Sequence, residues 1–87
     1  MGKAKDYLVR LYLDGFEQVE EAHSLDTGND NELASTLRQM VRRVRNDNRL
    51  SDREYSRYVI HVHEDRSGRY LAARCWVSST GAVRVKR

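Results

Sequence analysis

The chain has no proline, a single cysteine, one tryptophan and one phenylalanine, and it lacks any long apolar run. Each absence excludes something. Without proline, an internal repeat or a low-complexity tract, nothing in the 87 residues reads as a linker, and residues 1–87 suit a single domain. A lone Cys75 cannot form an intramolecular disulfide, which excludes a disulfide scaffold and points to a reducing cytoplasm. No uncharged apolar stretch approaches the about 20 residues that a membrane-spanning helix needs. Residues 1–6 do not lead into the apolar stretch of a signal peptide, and Asp6 stands where a myristoylation signal has Ser or Thr. Neither leader nor lipid anchor is expected.

Signature motifs are missing too. Neither the P-loop nor the dinucleotide-binding glycine pattern occurs, so no nucleotide cofactor is expected. The chain also lacks C-x-x-C, H-E-x-x-H, the Cys/His pattern of a zinc finger and the aromatic motif of an RNA-recognition domain.

What is present is a thin apolar set in a polar chain: 39% hydrophobic, 33% charged, with mean hydropathy −0.81. A chain of this size buries only roughly 60–65% of its unfolded surface. The core should be small, and a partner chain is expected to help complete it. The net charge of +3 hides a split. Residues 1–37 hold three basic and eight acidic side chains, a net of −5, whereas residues 38–87 hold thirteen and five, a net of +8. Such asymmetry points to nucleic acid, an anionic partner or self-association, unless the two halves neutralise each other across one surface.

Periodicity outlines the fold. Tyr7, Val9, Leu11 and Leu13 alternate with Leu8, Arg10 and Tyr12, which predicts a strand over 6–13. Asp14-Gly15 then predicts a type I′ hairpin and a returning strand over 16–23. The competing pattern, a helix capped by Asp14 with Phe16, Val19 and His23 on one side, leaves the first strand without a neighbour. Residues 29–45 carry the clearest helical pattern, with Asn29 and Glu32 as a capping pair and Leu33, Leu37, Met40, Val41 and Val44 as the apolar stripe. Asn46-Asp47-Asn48 stops it, and residues 51–54 open one more short helical turn. Strands follow over 58–63, 70–78 and 82–86, with turns at 65–69 and 78–81. The expected fold is α+β: an antiparallel sheet in ββ-α-βββ order with one long amphipathic helix packed on one face.

The register of the 58–78 hairpin has two solutions. A two-residue Ser67-Gly68 turn pairs Ile60 with Cys75 and Val62 with Ala73, and gathers Val59, His61, His63, Tyr70, Arg74 and Trp76 on the opposite face. A three-residue Arg66-Ser67-Gly68 loop mixes the faces. Burial decides for the first, because a slip exposes several side chains worth about 1.5–3 kcal/mol each.

Chemistry-bearing residues are few. His61 and His63 stand about 7 Å apart on one strand face, and His23 could supply a third metal ligand. No other ligand spacing accompanies them, so no metal is expected. The same two histidines with Arg74 suit a metal-independent ribonuclease, in which His moves protons and Arg holds phosphate. Half-exposed polar residues on a sheet are the plainer account, and Cys75 reads as a small buried hydrophobe. No catalytic residue is assigned.

Two binding surfaces remain. Arg38, Arg42, Arg45 and Arg49, at i, i+4, i+7 and i+11, form with Arg43 a basic helix face able to track a phosphate backbone. Its plain alternative is a solvated face tied to Glu17, Glu20 and Glu21. Tyr70, Arg74 and Trp76, with His61 and Arg84, would make a stacking platform for single-stranded nucleic acid, or would pack beneath the first hairpin or a second subunit. The functional expectation is a small, non-enzymatic cytoplasmic binding protein acting by occupying a protein partner or another copy of itself, as an accessory, regulatory or phage-type factor. A protein partner comes first because an acidic N-terminal hairpin opposite a basic C-terminal half gives complementary patches; the acidic side would also repel a phosphate backbone. Nucleic-acid binding is the alternative, ahead of the ribonuclease, and no membrane partner is expected.

Overall fold

Asp14 and Gly15 both adopt left-handed backbone, at φ 53° and 86°. That is the conformation of a type I′ turn, and it joins β1 (Lys5–Leu13) to β2 (Phe16–Leu25). The computed structural model describes residues 4–49, 53–64 and 70–86. In it the segment after the turn is strand and not helix, longer than expected by two residues and irregular opposite Leu11 and Tyr12. Arg57 anchors the turn, donating to the Asp14 carboxylate through Nε at 2.8 Å and through Nη2.

Helix α1 (Asp30–Asp47) begins at the capping pair. Asn29 Oδ1 accepts from the Glu32 backbone N–H at 3.2 Å, and Asn29 Nδ2 donates to Glu32 Oε2 at 3.4 Å. Asp30 and Glu32 in the first turn and Arg45 in the last complement the helix dipole. Leu33, Leu37, Met40, Val41 and Val44 are no more than 2% exposed and share one cluster with Val9, Leu11, Ile60, Val62 and Cys75. Each such side chain stabilises the fold by about 1.5–3 kcal/mol.

A single 3-10 turn at Tyr55–Arg57 leads into β3 (Tyr58–His63), β4 (Leu71–Val77) and β5 (Val83–Lys86). Ser51 and Asp52, where that turn was expected to open, lie outside the described residues. The sheet is antiparallel throughout, in the order β2-β1-β3-β4-β5. The chain order ββ-α-βββ is as expected. No helix among the described residues is long and apolar enough to cross a membrane.

Ile60 pairs with Cys75 and Val62 with Ala73, the register that burial selects. The turn beyond it, Ser67-Gly68 included, lies outside the described residues. A shift between Val62 and His63 sets Leu71 opposite His63. Tyr70 therefore falls outside β4, exposed, rather than joining Arg74 and Trp76. One extra residue in a strand reverses the alternation beyond it. At the far end of β4, Gly81 takes φ 90°, and a Cβ there would meet the Tyr55 ring at 3.1 to 3.3 Å. Only glycine fits that corner.

Candidate functional site

Alternation sends the core cluster to one side of the sheet and the intervening residues to the other. Two rows cross all five strands on this far face. Glu20, Arg10, His61, Arg74 and Lys86 are successive cross-strand partners in one row; Glu17, Tyr12, Val59, Trp76 and Arg84 form the next. Carboxylates therefore mark the β2 edge, Arg10, Tyr12, Val59 and His61 the middle, and Trp76 with Arg74, Arg84 and Lys86 the β4–β5 edge.

The acidic edge is already occupied. Arg10 Nε donates to Glu20 Oε2 at 2.9 Å and lies 3.4 Å from Glu17 Oε1. The hydrogen bond to Glu20 is the main reason the Arg10 pKa is raised above its ordinary value. At the other edge Arg74, Arg84 and Lys86 are exposed, and no ion pair engages them among the described residues. Lys86 Nζ stands 5.4 Å from the centroid of the Trp76 ring, which is itself 37% exposed. A shallow groove of about 390 Å³ runs beside them, lined by Leu71, Ala72, Ala73, Arg74, Trp76 and Lys86.

In the middle, the rings of Tyr12 and His61 tilt against each other with centroids 4.9 Å apart, and His63 meets His61 edge-on at 6.0 Å. Partial burial, then Arg74, His63 and Arg10, push the His61 pKa below the ordinary imidazole value. His63 is only 7% exposed, so of the two histidines His61 is the one that opens to the far face.

His23 does not join them. It pairs with Tyr7, whose side chain belongs to the core face, and its Nε2 lies 2.8 Å from Glu21 Oε1. The sheet stands between His23 and His61, which removes the three-histidine metal site considered from the sequence. Among the described residues no group of three potential metal ligands forms. Cys75 is fully buried in the core.

The helix face is less uniform than its spacing suggests. Arg38 and Arg42 are exposed, but Arg43 donates to Glu21 Oε2 at 2.7 Å and lies 3.9 Å from Asp47. This contact is the main cause that holds the Glu21 carboxyl below its usual value. Arg45 does not project outward with its neighbours. Its guanidinium carbon sits 3.9 Å from the Tyr55 ring centroid, and its Nη2 donates to the Arg53 carbonyl at 2.9 Å. Arg49 lies beyond the helix, at φ 55°. Of the three glutamates expected to neutralise the helix face, only Glu21 does so; Glu17 and Glu20 turn to Arg10.

The sequence pointed to Arg74 and Trp76 but not to Tyr12, Arg10 or Lys86 as their neighbours. The usable signal was parity: residues alternating with a strand's core positions must share the other face once strand order is known. No family model, no curated protein and no solved structure matches this chain.

Proposed function

We propose that the far sheet face binds single-stranded nucleic acid, and that the protein acts by occupying it. The observation that carries this is the row in which Tyr12 and Trp76 flank Val59, bordered by the three cations Arg74, Arg84 and Lys86. Aromatic planes stack bases for about 1–3 kcal/mol each, and cations meet the phosphates. Tyr12 and Trp76 are two strands apart, about 10 Å. That spacing suits splayed bases, whose faces a duplex hides. In these two rows the repulsion expected from the acidic half is confined to the β2 edge, where Arg10 offsets one of the two charges of Glu17 and Glu20. With its apolar stripe against the other face of the sheet, the helix leaves this one open. A lone buried Cys75 suits a reducing cytoplasm, and occupancy requires neither catalysis nor a cofactor.

One observation favours a protein partner as the second reading. Leu71, 43% exposed, lines the same groove as Trp76, and that groove would accept an apolar side chain.

Fluorescence anisotropy with a labelled single strand, its duplex and graded salt separates the two. The single strand should bind more tightly than the duplex. Its log Kd should change by about 2 per tenfold change in salt, at about 0.7 for each of three phosphates. Trp76→Ala should weaken binding by about 5- to 150-fold, the equivalent of one lost stack. No binding at low salt, or equal binding of duplex that ignores Trp76→Ala, would remove the proposal and leave the protein-partner reading.

A further inference from the structure

Resting on that proposed function, the geometry points to a short, one-sided footprint. About three nucleotides cross the strands from the β5 edge to Tyr12, and Glu17 and Glu20 end the path by holding Arg10 out of it.

The face has a direction. Among the described residues of this face, the cations outside any ion pair stand at its β4–β5 end, where Arg74, Arg84 and Lys86 are exposed. A polyanion must enter there. Trp76 sits in the same row as Arg84, and Tyr12 lies two strands further in. Two rings therefore offer two stacking positions, with Val59 and the half-buried ring of His61 under a base between them. Comparable four-stranded platforms stack two or three bases. Lys86, now over the Trp76 ring, has a flexible stem that lets its ammonium swing to a phosphate as a base arrives.

Beyond Tyr12 the path meets Glu17, its direct cross-strand partner, and Glu20 in the neighbouring row. Arg10 would be the next phosphate ligand by position. Instead its guanidinium is committed to Glu20 at 2.9 Å and to Glu17 at 3.4 Å. A fourth phosphate would face two carboxylates and a cation already neutralised. The acidic edge thus sets the length, and removing its charge should lengthen the site by one phosphate.

The test is a length series, from dinucleotide to octanucleotide, of oligo-uridine and oligo-deoxyuridine against the wild-type protein and a Glu17→Gln, Glu20→Gln variant whose melt is checked first. Wild-type affinity should climb to about three or four nucleotides and then rise only by the statistical factor. In the variant the plateau should move one nucleotide further, and the salt dependence should steepen by about 0.7 per tenfold change in salt, one phosphate's share. The two sugar series show whether ribose or deoxyribose strands are preferred. Wild-type affinity that keeps rising through the octanucleotide overturns the short footprint, and so does a folded variant with unchanged plateau and slope. Failure of every oligonucleotide to bind at low salt overturns the proposed function itself, and the footprint with it.

Discussion

Tyr12 and Trp76 stand two strands apart in one row of the sheet, each paired across to Val59. Neither ring belongs to the buried cluster. Both are where they are because the strand period of two gives one set of side chains to the core and the alternate set to the other face. The residues that pack and the residues available to a ligand are thereby interleaved along the same strands, and substitutions can address them separately.

The packing half is tested at Leu37, which is 0% exposed within the helix stripe. Leu37→Asp places a charge with no partner among apolar neighbours, a cost of several kcal/mol against a marginal total stability. The variant should lose its cooperative thermal transition. A retained transition by circular dichroism would mean the stripe is not core.

Arg45 and Arg42 should behave differently although both belong to the same helical run. Arg45 lies over Tyr55, a cation–π contact worth about 0.5–2 kcal/mol depending on desolvation. Arg45→Ala should lower Tm by several degrees, at about 4–8 °C per kcal/mol for a domain of this size. Arg38→Ala and Arg42→Ala should stay within about 0.5 kcal/mol of wild type. Equal effects in a differential scanning experiment would contradict the assignment.

Acid should loosen the tie between helix and first hairpin. The Arg43 hydrogen bond holds the Glu21 carboxyl pKa below its usual value. A depressed folded-state value contributes stability that is present above the unfolded-state pKa and is lost as pH falls through the folded-state one. Stability should therefore decline below about pH 4.3, the ordinary glutamate value. Because Arg43 is half exposed, the contribution is about 0.2–1 kcal/mol. In a urea titration at several pH values, Glu21→Gln should reduce that acid dependence.

Element order, the bounds of β3 and the β3–β4 register were readable because each follows from local period, an Asp-Gly turn or the burial of a hairpin's own face. The second neighbour of β1, strand β3, was not. Val9 pairs with Val62, fifty-three positions away, and nothing local in either strand specifies that partner. Without it, the sequence does not set Tyr12 in the row of Trp76. The shift at Val62 and His63 was hidden for a related reason: it depends on how the loop closes, not on the strands' own alternation. Arg45 was misplaced because spacing fixes the side of a helix from which a side chain leaves. It does not reveal a ring ten residues onward that the side chain can reach.

Proton uptake should couple to binding at His61. Arg10 on β1 and Arg74 on β4 flank it in the row, Tyr12 tilts against its ring and His63 lies 6.0 Å away on its own strand. Burial and these cations lower its pKa, so in the free protein it costs stability as pH falls through about 6.5, the unperturbed value. A bound phosphate offsets the cations and favours the protonated ring. Affinity for a single strand should increase on acidification through that range, and His61→Gln should flatten the profile. A wild-type profile already flat would separate His61 from the ligand.

Trp76 is the only tryptophan, so its intrinsic emission reports on the far face without a label. The most direct measurement is that emission during titration with a short single-stranded oligonucleotide at low salt. A base stacked on the ring should produce saturable quenching, reversed by added salt and absent with the duplex of the same sequence. Emission that stays constant through the titration would contradict a nucleic-acid site on this face.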